Sequence, residues 1–464
     1  MRKRVAVVGG GVAGLAAAVA LRDRAPTGTE IIVYEQSGAL GGKLRTGELA
    51  GVTVERGAES FLVGAPDGAE SAAVTFVRRV GLGDALVYPA AIPAALAFGG
   101  RLEPIPAGTL VGVPGDLSGL GRIARVAADA DGDDGRPLLA EGDDVAVGLL
   151  VRERYGDEVA DRLVDPMLGG VYAGRADTLS LVATMPALAA AARIEHTLAG
   201  AVRAAQRASV RVPGRPVFGA VGGGMSRLIE AAATASGARI SVGLPVREIS
   251  RTGRGWRLIL GPVPAPQVAE VDAVILAVPA KAAARMLAGL DLSAAAEVET
   301  LDYAGVALVA LALPPGTPLP ELSGFLVPAT EGTLVKAATF VTRKWPHLGG
   351  ADRPVIVRAS IGRAGEQERL QVDDAVLAST AHSELGDLIG APLPAPLGSW
   401  VQRWGGGLPQ YAPGHVDRVA AARAALAGLP GLALAGAAYD GVGVPACVAS
   451  GERAAESVLK NLED

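Results

Sequence analysis

The first apolar run of the chain is interrupted by three consecutive glycines, and this interruption limits what the run can become. The run covers residues 5–21, and the glycines occupy 9–11. Because each glycine inside a helix costs about 1 kcal/mol relative to alanine, the continuous apolar helix of a secretory signal is disfavoured. The same residues fit a β-branched strand at 5–8, a tight turn, and a helix of small residues at 12–21. We therefore predict a folded strand-turn-helix unit and a cytoplasmic protein.

The glycines at this turn have the spacing of a dinucleotide-binding site. Gly9, Gly11 and Gly14 form a Gly-x-Gly-x-x-Gly pattern directly after the predicted strand and at the start of the predicted helix. In such a turn the first glycine permits the bend, the second admits a pyrophosphate, and the third lets the helix approach the sheet. A second predicted strand at 30–34 ends at Glu35, about 20 residues farther on, where an acid can accept adenosine ribose hydroxyls. A carboxylate there would also repel the 2′-phosphate of NADP.

Further glycine-rich turns favour a permanently held FAD over an exchangeable nicotinamide cofactor. One turn lies at 41–43 and another at 55–60. Near the C-terminus the pattern predicts a strand at 432–436, a glycine-rich loop at 437–445 and a helix at 447–462. The positive N-terminal end of that helix would face the negative charge near flavin N1 and C2=O. We therefore predict FAD as the cofactor, with protein contacts along its whole length.

The composition excludes several other kinds of protein. The chain carries 43 basic and 48 acidic residues, a net charge of −5, unlike the strongly basic balance of a nucleic-acid-binding protein. Its single cysteine, Cys447, excludes an internal disulfide and a thiolate zinc cluster. The four histidines are too far apart in sequence for a local metal motif, so we expect no metal and an organic cofactor. At a helix start the pKa of Cys447 could be lowered, but we expect core packing.

The pattern of the whole chain predicts an α/β fold: a Rossmann-like discontinuous FAD-binding domain with an α+β substrate domain and a helical insertion. Spacing predicts one amphipathic helix over 147–163 and alanine-rich helix over 186–206. A helix at 226–236 follows a second glycine turn, and the strands after it indicate a β-meander added to the nucleotide-binding sheet. The strands predicted there are 239–242, 247–250, 256–260 and 273–278, and those predicted to roof the flavin are 306–313, 336–342 and 355–361.

These elements predict domain boundaries in which the FAD-binding and substrate domains are each assembled from separate stretches. The FAD-binding domain comprises 1–84, 208–280 and 397–464, and the substrate domain comprises 85–100 and 281–396. The helical insertion is 101–207.

Motifs spread over nearly the whole chain resemble one enzyme family. The opening glycine turn, Glu35, the glycine pair at 41–42 and the segment 222–225 resemble the flavin amine-oxidase superfamily. Within it, several stretches resemble the protoporphyrinogen/coproporphyrinogen III oxidases of haem synthesis. They are VERGAESF at 54–61, DPMLGGVYAG at 165–174, KWPH at 344–347, the segment from Arg403-Trp404 to Gly414-His415, and 436–445. The segment 101–114 is similar to the Gram-positive branch, whose members oxidise coproporphyrinogen III.

The resemblance implies which residues contact FAD and suggests candidates for binding the substrate's carboxylates. The implied FAD contacts are Gly9, Gly11, Val12, Ala13, Gly14, Glu35, Gly41, Gly42, Lys43, Gly57, Ala58, Glu59, Ser60, Val246, Trp404, Ala437, Val442, Gly443 and Val444. The cations beside family-like motifs are Arg175, Arg343 and Lys344, although such residues are more commonly plain surface charges. A lysine that some bacterial members carry shortly after the residues matching Ser60-Phe61 is absent, with Gly64 and Ala65 near its place.

The resemblance also implies a reaction. A porphyrinogen loses six hydrogens in three rounds, each passing a hydride to flavin N5 and then two electrons to O₂, which gives hydrogen peroxide. No residue resembles a dedicated base, so we assign no catalytic residue. The implied partners are the porphyrinogen and O₂, with no nucleic acid, while peripheral membrane contact and transient contact with the next haem-pathway enzyme stay open.

Two alternative functions share these motifs. An amine oxidase or carotenoid-type desaturase would have the same FAD motifs and a different roof over the flavin. A non-catalytic binder such as the Rab GDP-dissociation inhibitors resembles this fold without flavin. The intact glycine pair at 41–42 and the glycine loop at 441–443 speak against the binder.

Overall fold

The computed structural model describes residues 3–210 and 212–462. The strands are β1 Arg4–Val8, β2 Glu30–Tyr34, β3 Thr46–Leu49, β4 Val52–Glu55, β5 Phe61–Leu62, β6 Leu86–Val87, β7 Ala94–Phe98, β8 Arg101–Pro104, β9 Thr109–Leu110, β10 Val113–Pro114, β11 Phe218–Val221, β12 Arg239–Ser241, β13 Val246–Thr252, β14 Gly255–Leu260, β15 Gln267–Val271, β16 Ala273–Leu276, β17 Tyr303–Leu313, β18 Gly324–Leu326, β19 Val335–Phe340, β20 Val355–Ile361, β21 Gly398–Pro409 and β22 Leu432–Leu434.

The helices are α1 Val12–Arg24, α2 Ala72–Arg79, α3 Val147–Tyr155, α4 Asp157–Val159, α5 Asp165–Tyr172, α6 Leu181–Thr184, α7 Pro186–Ala192, α8 Leu198–Ala208, α9 Ser226–Ser236, α10 Ala280–Leu287, α11 Leu292–Glu299, α12 Val341–Lys344, α13 Asp374–Ile389, α14 His415–Leu426, α15 Ala437–Asp440 and α16 Val444–Leu459. Ala160–Val164 form a π-helical turn, and short 3-10 turns lie at Gly83–Ala85, Ala176–Thr178, Ala329–Glu331, Pro346–Leu348 and Gln367–Leu370.

A five-stranded parallel sheet contains the strand that precedes the glycine turn. Its strand order is β12-β2-β1-β16-β22, and every neighbouring pair is parallel. The strands come from the beginning, the middle and the end of the chain. Because parallel strands present their carboxyl ends at one edge, the loops after β1, β2 and β22 lie together at that edge. The sheet confirms the predicted α/β fold class.

The first long helix and the last helix pack against each other on one face of this sheet. Their contact is built from small side chains, since Ala13 and Ala17 of α1 and Ala454 of α16 are all buried in one cluster. Gly451 permits the close approach, because a Cβ at that position would lie 2.1 Å from the carbonyl oxygen of Ala13. The two ends of the chain therefore meet beside the opening glycine turn.

A larger mixed sheet forms the second layer near the site. Its seven strands have the order β21-β17-β20-β19-β18-β7-β8. The hairpin of β7 and β8 pairs Phe98 with Arg101, so the predicted domain boundary between residues 100 and 101 falls inside a single hairpin. Strand β21 pairs with β17 in this sheet, although the sequence analysis placed its residues in the third FAD-binding part.

The predicted meander is shorter than expected. Strands β13, β14 and β15 form an antiparallel sheet, whereas β12 and β16 pair within the parallel sheet. Smaller sheets are β5-β11-β6, β3-β4 and β9-β10. The meander therefore inserts between two strands of the nucleotide-binding sheet.

The prediction of one amphipathic helix over 147–163 was wrong. Helix α3 ends at Tyr155, and Gly156 follows with φ of 97°, a left-handed conformation that cannot continue an α-helix. The apolar spacing continues through α4 and the π-helical turn because all three pieces pack against the same core. The alanine-rich segment likewise divides into α7 and α8. Across the described ranges, no helix combines the length and apolarity needed for a bilayer crossing.

Candidate functional site

The turn after β1 is shaped by contacts that only glycine permits. Gly9 has φ of 113°, and a Cβ there would lie 2.3 Å from the carbonyl oxygen of Ala277. A Cβ at Gly14 would lie 2.0 Å from the carbonyl oxygen of Gly9, so this glycine lets α1 begin directly against the turn. A Cβ at Gly11 would meet no described atom within 4 Å. The turn is therefore closed on its protein side and open where a pyrophosphate would meet the helix N-terminus.

Glu35 lies at the carboxyl end of β2 and holds the same turn. One carboxylate oxygen accepts a hydrogen bond from the backbone N–H of Gly10 at 2.8 Å, and the other accepts from Ser37 at 2.8 Å. The carbonyl of Glu35 accepts from the N–H of Leu244 at 3.0 Å, which brings the segment before Val246 to this point. The carboxylate is half-buried at the edge where the predicted ribose would lie.

Replacing Glu35 with alanine is expected to weaken FAD binding about 10-fold to 100-fold, since charge-assisted hydrogen bonds contribute about 1.5–3 kcal/mol. The measurement is titration of the apoprotein with FAD, followed by quenching of flavin fluorescence. Glu48→Ala is the matched control, because Glu48 is an exposed residue of β3. Equal FAD affinities for the two variants would remove Glu35 from the site.

Two more loops meet the opening turn through backbone contacts. The N–H of Gly41 donates to the carbonyl of Gly10 at 2.9 Å, and Gly42 lies against Gly11. A Cβ at Gly57 would lie 1.9 Å from the carbonyl oxygen of Lys43, to which the N–H of Ala58 also donates at 3.0 Å. These loops thus form a continuous glycine-lined surface.

Glu59 is the electrostatic centre of the loop at 57–60. It is buried, and its carboxylate meets Lys344 Nζ at 2.5 Å and Arg358 Nη2 at 2.6 Å. The indole N–H of Trp345 donates to the same carboxylate at 3.0 Å. Burial alone would raise the pKa of Glu59, but Arg358 and Lys344 outweigh it and lower that pKa to about 2. Arg358 lies on β20 of the seven-stranded sheet, and Lys344 lies on α12, which follows β19 of the same sheet. Glu59 therefore connects the loop at 57–60 to the seven-stranded sheet.

The C-terminal loop follows β22 of the parallel sheet. Gly443 is exposed and precedes α16, whose first turn contains the buried Val444. Contrary to the predicted continuous loop, Ala437–Asp440 form a short helix, and the carbonyl of Ala437 accepts from the Tyr411 hydroxyl.

The side chains of Lys43 and Cys447 lie in this region. Burial lowers the pKa of Lys43, and burial raises the pKa of Cys447 to about 12. Cys447 is buried in the apolar cluster formed with α1, so the expected core packing is confirmed.

Trp404 connects the seven-stranded sheet to the same region. Its indole N–H donates to the carbonyl of Arg56 at 2.7 Å. It packs beside a small apolar cluster of Ala173, Ala304 and Val306. The cluster brings the predicted flavin contact Trp404 next to the motif at 165–174.

The comparisons with known proteins agree with this geometry. The sequence model of the flavin containing amine oxidoreductases matches residues 12–459. The chain is 36% identical to a coproporphyrinogen III oxidase of Mycobacterium tuberculosis, over 98% of this chain and 97% of that protein. The chain belongs to the porphyrinogen oxidase branch of the flavin-containing amine oxidoreductases.

Other members of the family are similar over their full length. The coproporphyrinogen III oxidase of Bacillus subtilis is 29% identical over 99% of both chains. A crystal structure of a protein provisionally assigned as a protoporphyrinogen oxidase from Exiguobacterium superposes with a TM-score of 0.85 and 31% identity, covering 100% of both chains. The predicted family is confirmed.

Family membership makes FAD the cofactor and makes this protein an oxidoreductase, as predicted. The opening turn, the loops at 41–43 and 57–60 and the C-terminal loop together form a cradle that fits FAD. Its backbone is open at Gly11, Gly42 and Gly443, and Gly42 and Gly443 are exposed to solvent. Which side chains touch each part of the cofactor stays a prediction for the residues named from the sequence.

The three cations predicted to bind substrate carboxylates already have acidic partners. Arg343 pairs with Glu321 at 2.6 Å, and Arg175 lies 3.4 Å from Asp165. Lys344 shares the buried Glu59 with Arg358, and its departure would remove one of the two cations that compensate that carboxylate. Their role as substrate anchors stays a prediction, and the structure gives it no support.

The sequence analysis missed two cations of the mixed sheet. Lys336 is buried on the same face of β19 as Ala338 and Phe340, and this alternation is the signal that could have identified it. Arg358 lies on β20 between the buried Val357 and Ala359, and its side chain is 11% exposed.

Proposed function

We propose that this protein oxidises a porphyrinogen to the porphyrin, with coproporphyrinogen III preferred over protoporphyrinogen IX. The observation that carries the proposal is the near full-length similarity to coproporphyrinogen III oxidases, combined with the glycine-lined cradle at the edge of the parallel sheet. The proposed electron acceptor is O₂, which is reduced to hydrogen peroxide in each of three two-electron rounds. The proposed reaction is a step of haem biosynthesis.

In the proposed mechanism this chain mainly binds and orients. The opening turn and the start of α1 receive the pyrophosphate, and Glu35 receives the ribose hydroxyls. A bound FAD would supply the hydride acceptor and the route by which electrons pass to O₂. The N-terminal end of α16 favours negative charge beside it. The cluster of Ala173, Ala304 and Val306 next to Trp404 keeps water from that side. A pyrrole N–H becomes acidic once hydride is lost, so a dedicated protein base is unnecessary.

The alternative functions have weaker support. Putrescine oxidase has a TM-score of 0.68 but only 17% identity, so it shares the fold alone. The glycine pair at 41–42 and the glycine loop at 441–443 speak against a flavin-free binder, since Gly42 and Gly443 leave exposed backbone that a protein without cofactor would not need.

The test is anaerobic mixing of the holoprotein with coproporphyrinogen III, protoporphyrinogen IX and putrescine in separate experiments. We expect coproporphyrinogen III to bleach the visible flavin absorbance fastest and putrescine to have no effect. In air, each porphyrin formed should be accompanied by three molecules of hydrogen peroxide. Bleaching by putrescine and by neither porphyrinogen would replace this function with amine oxidation, and a preparation without flavin would favour the binder.

We place the reaction in the cytoplasm. The first apolar run supports this location because it forms the buried strand β1 and the buried helix α1. The strand is part of the nucleotide-binding sheet and the helix packs against it, so the run is not expected to act as a cleaved secretory signal. Peripheral contact with a membrane and transient contact with the enzyme that consumes the porphyrin are compatible with this location.

A further inference from the structure

Lys336 is a buried cation whose ammonium group has no acidic partner. The residue lies on β19 and is 5% exposed. Its Nζ donates to the carbonyl of Gly169, near the end of α5, at 3.1 Å. Within the described ranges no carboxylate lies at ion-pair distance from it. A buried ammonium with one neutral acceptor is costly, because burial removes its hydration without supplying an opposite charge.

A second buried cation lies close to Lys336. Arg363 is also 5% exposed, and its guanidinium donates to the carbonyls of Thr333 and Val327 at 3.2 Å each. Burial, reinforced by the charge of Arg363, lowers the pKa of Lys336 to about 7. The two buried cations thus repel each other.

The acids nearest to this pair are engaged elsewhere. Glu366 pairs with Arg369 at 3.2 Å. Asp165 lies 3.4 Å from Arg175 and accepts from the N–H of Ala176 at 2.8 Å. Both acids act on the charge of Arg363, but burial outweighs them and lowers its pKa, and neither forms an ion pair with Lys336.

The pair is connected by hydrogen bonds to the segment that leads from α5 to the predicted flavin contact. Gly169 precedes the exposed Gly170 and Val171 at the end of α5. Two residues later, the carbonyl of Ala173 accepts from the N–H of Ala364, directly after Arg363, at 2.7 Å. Ala173 belongs to the apolar cluster that includes Trp404. Lys336 therefore contacts α5 four residues before Ala173, and the residue after Arg363 is hydrogen-bonded to Ala173 itself.

We propose that Lys336, supported by Arg363, forms a binding subsite for a carboxylate side chain of the tetrapyrrole substrate. This inference rests on the proposed function. A propionate would supply the missing negative charge and accept a charge-assisted hydrogen bond from the ammonium group. The subsite thereby explains how the chain can hold substrate carboxylates when Arg175, Arg343 and Lys344 already have acidic partners.

A purely structural role makes a different prediction. If Lys336 serves only to cap the end of α5 through Gly169, its removal should lower the melting temperature. If it forms the subsite, its removal relieves an uncompensated buried charge, so the melting temperature should stay equal or rise.

The experiment measures binding of the stable product coproporphyrin III, and of its tetramethyl ester, to the holoprotein in the same detergent buffer. The variants are Lys336→Met, which keeps the apolar stem, and Lys336→Gln, which keeps a donor for Gly169. Lys281→Met is the matched control, because Lys281 is an exposed lysine paired with Asp302. Binding is followed by quenching of tryptophan fluorescence, and each variant's melting temperature and flavin content are recorded.

We expect both Lys336 variants to bind the free acid about 10-fold more weakly than the wild type, with little change for the ester. The control should match the wild type. The subsite is refuted if both variants retain the wild-type affinity for the acid, or if acid and ester lose affinity equally. A wild-type protein that binds the acid and ester equally also refutes it. Failure of the wild type to oxidise either porphyrinogen would instead refute the proposed function.

Discussion

Replacing Glu59 with glutamine is expected to destabilise the folded protein by about 3–5 kcal/mol, the usual cost of removing one partner from a buried ion pair. The substitution keeps the shape of the side chain but leaves Lys344 and Arg358 without their shared carboxylate. These side chains are only 21% and 11% exposed, so water replaces little of the lost interaction. Arg358 also donates to the carbonyls of Glu55 and Gly57, and a displaced guanidinium would disturb the loop beside the FAD cradle.

The pH dependence of this loss identifies its cause. The pKa of Glu59 is lowered from 4.5 to about 2 in the folded protein, so its stabilising effect is complete above the unfolded value. That effect is lost as the pH falls from about 4.5 towards 2, because the folded carboxylate then takes up a proton. Urea unfolding of wild type and Glu59→Gln should therefore differ fully at pH 7 and converge in acid. Glu48→Gln, at an exposed position, should match the wild type throughout. A difference that persists unchanged in acid would contradict the ion-pair explanation.

The sequence pattern correctly predicted those helices and strands whose ends are determined by residues close by in the sequence. Strands β2 and β20 and helix α9 have the predicted bounds, because alternation, β-branching and helix-breaking glycines act within a few residues. The opening glycine turn was predictable for the same reason. Gly156 shows the limit of this approach, since the apolar spacing continues past a residue whose backbone ends the helix.

Contacts between distant parts of the chain could not be predicted from pattern. Lys344 and Glu59 are separated by 285 residues, and nothing in either motif states that the two charges meet. The sequence therefore suggested Lys344 as a free cation for the substrate. The same limitation applies to Lys336. Its burial could be predicted from the alternation of β19, but the absence of an acidic partner can be recognised only from its neighbours in the folded structure.

Replacing Gly451 with valine is expected to destabilise the protein by about 3 kcal/mol, at the upper end of the range for overpacking, and to reduce the amount of FAD that copurifies. Even the Cβ would lie 2.1 Å from the carbonyl oxygen of Ala13 and 2.9 Å from the backbone nitrogen of Ala17. Backbone atoms of a helix cannot yield as a flexible side chain can, so α1 and α16 must separate. Separation would shift α1, whose first turn is predicted to receive the pyrophosphate, away from the C-terminal loop.

The measurement combines thermal unfolding with the ratio of flavin to protein in the purified variant. Gly428→Val is the matched control, because a Cβ there would meet no described atom within 4 Å. The control should keep the wild-type melting temperature and flavin ratio, since it adds the same side chain without a clash. If Gly451→Val melts lower but retains full flavin, the helix contact stabilises the fold without shaping the cradle. If both variants behave like the wild type, FAD binding does not depend on close packing of α1 against α16. The cradle would then be maintained by the sheet and by the loops at 41–43 and 57–60.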